Sequence, residues 1–122
     1  MAQSLAPEGQ VVAPSSADRA LIAEAERRLR AAAGVHPLAV VPFGSRATGT
    51  ARLDSDLDLA VIVPDVEYTH EAIGAMYRAL QGLGTPVDLL VYPQTAVERA
   101  RHLPIPALRR ALEVAGTSRA SL

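Results

Sequence analysis

The sequence contains no cysteine and no tryptophan, and its aromatic residues are three tyrosines and a single phenylalanine. Without cysteine there is no disulfide, no thiolate nucleophile and none of the common zinc sites, which suits a reducing compartment. Any metal must then be held by oxygen or imidazole ligands. An aromatic content of 3% leaves few rings on which bases stack. Charge of one sign is also missing: 12 basic and 13 acidic residues give a net charge of −1. No overall basic excess is available to neutralise a phosphate backbone, so direct nucleic-acid binding is not expected. No apolar run reaches the roughly 18 to 20 residues of a membrane span, and the start carries no basic segment followed by an apolar signal core. The sequence reads as that of a soluble cytoplasmic protein with no membrane contact.

What is present is enough apolar residue, 49% of 122, to bury one core. Residues 1–16 mix Gly, Pro, Ser and Ala without periodicity and read as a flexible arm, residues 17–116 as the domain, and 117–122 as a tail. Leu21, Ile22, Ala25, Leu29 and Ala32 fall at helical spacing over 17–33, with Gly34 placed to end the helix. Its arginines and glutamates read as a solvated face. Leu38 to Phe43 predicts a strand with Pro42 near its end, and Leu57 to Val63 a strand buried on both faces. Ile73, Met76, Tyr77, Leu80 and Leu83 predict a helix that crosses to a third strand from Val87 to Tyr92, in parallel pairing. Thr95 and Glu98 form a capping-box pattern for a short helix. Pro104 and Pro106 interrupt that helix, and Leu108 with Leu112 suggests a last one ending near Gly116. The fold class is α/β (α+β), a small mixed sheet with helices packed mainly on one face.

Three acidic positions carry the chemistry. Side chains alternate along a strand, so Asp56 and Asp58 project from one face and Leu57 and Leu59 from the other. Two carboxylates so placed repel each other and call for a cation. Oxygen-only ligands suit magnesium, with manganese as the alternative. A calcium loop, whose first ligand positions Asp54, Asp56 and Asp58 mimic, fails at Leu59, where its turn requires glycine. Asp88 lies in the apolar segment Val87 to Val91, where a buried carboxylate needs a partner. Gly44 and Ser45 follow a predicted strand and open a short polar segment. Glycine lets a phosphate approach the main chain, and a serine hydroxyl can donate to it. Arg46 and Arg52 flank this loop and can offset charge there, and Arg46 joins Gly44 and Ser45 as a nucleotide-binding candidate. Each feature alone also reads as an ordinary turn, strand-edge ion pair or solvated arginine; only the combination is specific. His36, His70 and His102 form no metal-binding spacing and read as surface or helix-end residues.

Phe43-Gly44-Ser45-Arg46-Ala47-Thr48-Gly49, then Asp54-Ser55-Asp56-Leu57-Asp58-Leu59, then Val87-Asp88 resemble the minimal nucleotidyltransferase domains of the DNA polymerase β superfamily. Ten residues separate Gly44-Ser45 from Asp56-Leu57-Asp58, the spacing of that signature. The resemblance implies that the polymerase β-like nucleotidyltransferase fold is adopted and that Ser45 binds nucleotide phosphates. It also implies that Asp56 and Asp58 bind magnesium and that Asp88 completes the acidic, catalytic site. Thr48 stands where many relatives carry arginine, and the tail after Gly116 lacks a strand-like ending. The activity implied is attack of an acceptor hydroxyl on the α-phosphate of ATP or another nucleoside triphosphate. Small stand-alone members resemble antitoxins that add AMP to a helical HEPN-type ribonuclease toxin, which makes such a toxin the expected protein partner. Transfer to a small molecule such as an aminoglycoside, or a partner-binding module that retains the fold without turnover, are the alternatives.

Overall fold

The computed structural model describes residues 14–99. The expected helix around Leu108 to Leu112, His102, the tail and most of the expected arm lie outside these residues. Element order is α1 (Ser16–Ala31), β1 (Ala39–Phe43), α2 (Ser45–Thr48), β2 (Leu57–Val63), a 3-10 turn (Asp65–Glu67), α3 (His70–Ala79), β3 (Val87–Pro93) and α4 (Gln94–Arg99). The three strands form one mixed sheet in the order β1-β2-β3. The β1–β2 pair is antiparallel and the β2–β3 pair parallel, joined through α3 as the crossover pattern predicts. Pro42 is tolerated because β1 is an edge of the described sheet, where a missing N–H breaks no ladder.

The central strand is apolar throughout after Asp58, and both of its faces are covered. Leu57, Leu59, Val61 and Val63 point to one face and pack with Leu89 of β3 against Ala25 and Leu29 of α1 and Met76 and Leu80 around α3. Ala60 and Ile62 point to the other and pack with Val41 of β1 and Val97 of α4. Each fully buried leucine, isoleucine or valine contributes about 1.5–3 kcal/mol, which makes β2 the strand the rest of the domain is built on. Because α1 and α3 share one face, the other face near the start of β2 is left for Asp58.

The helix termini follow their local chemistry. Ser15 caps α1, its hydroxyl accepting from the Asp18 amide at 3.0 Å, and Thr69 does the same for α3 through the Ala72 amide. The α1 charges form the expected solvated face, with Glu24 paired to Arg27 and Arg28, and Glu26 to Arg30. Arg27 and Arg28 together hold the Glu24 carboxyl down to about 2. His36 is exposed and pairs with Glu67, and His70 opens α3. Two expectations are corrected. Thr95 is not a cap: it lies inside α4, and its amide and hydroxyl both donate to Asp65 from the turn after β2. Tyr77 is not on the core face of α3, which Ala72, Met76 and Leu80 form; it is exposed, and its hydroxyl oxygen accepts from the Leu89 amide.

Candidate active site

Asp58 is the second residue of β2 and faces Asp88 directly across the parallel ladder, so both side chains leave the same face of the sheet. Phe43, the partner of Asp58 on the antiparallel side, flanks it on that same face. Asp56 precedes the strand by one residue rather than lying on it. The burial pattern differs from the one the apolar surroundings of Asp88 suggest. Asp58 is half-buried, whereas Asp56 and Asp88 are exposed. Asp88 sits near the start of β3, an edge strand of the described sheet, so Leu89 beside it is buried on the helix face while its own carboxylate reaches solvent.

Among the described residues, none of the three carboxylates has a hydrogen bond or ion pair to the protein. Burial first, then the negative charges of Asp88 and Asp56, push the Asp58 carboxyl above its ordinary value of 3.8. The three acids are therefore electrostatic neighbours. Among the described residues no three acidic or histidine side chains stand together as a ready-made metal-ligand group. A divalent ion of the magnesium type needs only one or two protein carboxylates, with water and substrate phosphates completing its shell. The donor chemistry and the uncompensated repulsion at Asp58 fit such an ion.

Gly44 has φ 75° and ψ −163°, a backbone conformation that is essentially glycine-only. A Cβ at this position would collide with Oδ2 of Asp58 and lie 3.2 Å from its Cγ. The strand-to-helix turn is thus closed directly over the half-buried carboxylate. Gly44→Ala is expected to cost about 1–3 kcal/mol from the backbone alone. It also forces the Asp58 side chain aside, so divalent-metal binding at the site falls further than stability. Denaturant unfolding beside calorimetric titration with magnesium checks this, and an alanine variant that binds metal as the wild type does would refute the close packing.

Immediately after Gly44, Ser45 opens α2. The Gly44 carbonyl accepts from the Ala47 and Thr48 amides, both at 3.1 Å, and the Thr48 hydroxyl donates to the same oxygen. The Ser45 hydroxyl makes no hydrogen bond among the described residues and is free to donate to a ligand. The Thr48 hydroxyl is spent on this local bonding.

The Arg46 side chain lies inside the fold. As a nucleotide-binding candidate it would offer its guanidinium to phosphate, but the residue is buried and its side chain turned inward. Its Nη1 pairs with Asp18 Oδ1 of α1 at 2.8 Å. Its Nε and Nη2 donate to the Ser55 carbonyl at 3.0 and 2.7 Å, and Nη2 also to the Leu53 carbonyl at 3.2 Å. With four of its five N–H donors engaged in this way, Arg46 fixes the turn that leads into Asp56. Asp18 is a residue that sequence reasoning misses. Its one signal is the Ser15-x-x-Asp18 spacing of a helix start, and nothing local announces that it is buried. Arg52 remains exposed on the turn.

Two cavities lined by described residues, of about 390 and 240 Å³, lie beside α3, and neither includes Gly44, Ser45, Asp56, Asp58 or Asp88. Among the described residues no helix is long and apolar enough to cross a membrane. The sequence model of the family described as "Nucleotidyltransferase domain" matches residues 22–113, about three quarters of the chain. No curated protein and no solved structure matches it.

Proposed function

Because the chain belongs to the nucleotidyltransferase domain family and is a transferase of nucleotidyl groups, we propose that it moves AMP from ATP to a hydroxyl of a partner protein. The partner that the resemblance suggests is a helical HEPN-type toxin, which the modification would neutralise. The observation that carries the reading is the pairing of Asp58 with Asp88 across β2 and β3, beneath a glycine turn that only glycine can make. Exposure of Asp56 and Asp88 suits an acceptor too large to be enclosed.

In this reading the acceptor oxygen bonds to the α-phosphorus, and the bond from that phosphorus to the bridging oxygen breaks. Pyrophosphate leaves with the electron pair, and the hydroxyl proton passes to the Asp88 carboxylate. A magnesium ion, with manganese as substitute, would be held by Asp56 and Asp58 with help from Asp88, and supplies charge neutralisation on the phosphates. The Ser45 hydroxyl donates to a phosphate oxygen, and Gly44 lets that phosphate approach the main chain. Phe43 walls one side of Asp58 and limits water there. Arg46 and Asp18 hold the turn and touch no substrate.

The test is intact mass spectrometry of a candidate partner, beginning with the product of a neighbouring reading frame, incubated with the protein, ATP and magnesium. One added AMP per modified hydroxyl is expected. Should a folded Asp56→Asn, Asp58→Asn, Asp88→Asn triple variant neutralise the partner as fully as the wild type, the protein acts by binding and the enzymatic reading is wrong. Labelling of an aminoglycoside with no protein required would replace the proposed acceptor by a small molecule.

A further inference from the structure

Resting on the transferase reading above, we propose that the turn Arg52–Ser55 docks the acceptor and that Leu53 is its anchor, seated in an apolar pocket on a protein. Leu53 is fully exposed, the most exposed of the large apolar side chains among the described residues. A single exposed leucine is ordinary on a protein surface and by itself means nothing. Two independent features set this one apart.

The first is rigidity. The Leu53 carbonyl accepts from Arg46, the Ser55 carbonyl accepts from Arg46 twice, and Arg46 is itself buried and paired with Asp18. The Ser55 hydroxyl oxygen accepts from the Arg52 amide at 2.8 Å, and the Ser55 amide donates to the Arg52 carbonyl at 3.1 Å. The turn is thus pinned on both sides of a leucine that packs on nothing. Interface anchors that are already ordered lose little conformational freedom on binding, which is where much of an anchor's affinity comes from.

The second is place. Asp56 follows Leu53 by three residues, which bounds the separation of their Cα atoms to roughly 10 Å. Whatever covers Leu53 therefore abuts the acidic site. The neighbouring charges choose the class of partner. Asp54, Asp56 and Asp88 are all exposed against one exposed cation of the turn, Arg52, and the chain carries no basic excess. Beyond the metal-bound triphosphate, one exposed arginine among three carboxylates cannot track a phosphate backbone, so the apolar tip favours a protein over a nucleic acid.

The experiment uses the full chain with magnesium and ATP labelled at the α-phosphate, added to an extract of the source cells across a dilution series. The wild type is expected to label a protein acceptor. Leu53→Ala should slow labelling about tenfold or more in dilute extract and recover in concentrated extract, a KM effect in the range set by uncovering one leucine. Leu53→Glu should abolish labelling, and Leu53→Met should largely restore it. All three variants should melt as the wild type does and bind magnesium–ATP equally in calorimetry, since Leu53 touches no core residue. Labelling by Leu53→Glu at the wild-type rate overturns the inference, as does label found only on small molecules or nucleic acid. Failure of the wild type to bind magnesium–ATP at all is a separate result, and it would remove the transferase reading together with this one.

Discussion

Asp58→Asn is expected to cut nucleotidyl transfer by about a thousandfold or more and, in the same molecule, to raise the melting temperature of the metal-free protein at neutral pH. The first effect follows from removing a charge from the site where phosphates are to be neutralised. A loss of about 4 kcal/mol of transition-state stabilisation corresponds to roughly three powers of ten in rate. The second follows from proton linkage. The folded state holds the Asp58 carboxyl above its ordinary 3.8, through burial and then the charges of Asp88 and Asp56. Between 3.8 and that raised value the folded state binds more protons than the unfolded one, so stability falls as pH rises through the window. Above it, ionised Asp58 is a net cost to folding, and asparagine removes the cost. The stability gain should shrink as pH falls from that raised value towards 3.8 and be gone below it, where wild-type Asp58 is protonated in both states. Magnesium with ATP should raise the melting temperature of the wild type by binding the native state, and the variant should lose that response. A variant that transfers AMP normally, or that is less stable than the wild type in a chelator at neutral pH, would contradict the assignment.

Arg46→Ala is expected to destabilise the fold by about 3 kcal/mol or more, a fall in melting temperature on the order of 15 °C for a domain of this size. Deleting one partner of a buried pair leaves the other, Asp18, charged and without its cation, and leaves the carbonyls of Leu53 and Ser55 without their donor. Arg46→Lys should recover only part of the loss, because an ammonium cannot span a carboxylate and two carbonyls as the planar guanidinium does. Asp18→Leu combined with Arg46→Met should be less damaging than either single change suggests, since no charge is then stranded. Denaturant titration of these variants gives the cycle. If Arg46→Ala costs under about 1 kcal/mol and its loss of activity is confined to nucleotide affinity, the arginine belongs to the phosphate site and not to the scaffold.

Much of the fold was legible because it is written in short-range patterns. The uninterrupted apolar run after Asp58 announces a strand covered on both faces, and β2 is covered on both by separate clusters. The helical spacing of Met76 and Leu80 followed by the Val87 segment announces a crossover, and β2 and β3 pair in parallel. The errors arise where a residue's partner is distant in sequence. Thr95 carries a local capping pattern, yet Asp65, 30 positions away, takes its donors. Asp88 lies among apolar neighbours, yet strand alternation at a sheet edge turns it to solvent while Leu89 beside it is buried.

The sequence by itself determined the shared strand face of Asp58 and Asp88, the glycine and serine that precede Asp58, and the family, since these depend on spacing along a strand and across one turn. Only the tertiary structure decided what each neighbour does. Register between β2 and β3 sets Asp58 against Asp88, closure of the Gly44 turn over that carboxylate makes any side chain there strained and displaces Asp58, and packing of α1 against α2 draws Arg46 away from solvent to Asp18. Alternation and helical period are properties of the chain within a few residues. Burial and ion pairing are properties of segments that meet only after folding, and a guanidinium near an acidic loop takes whichever carboxylate the fold brings within reach.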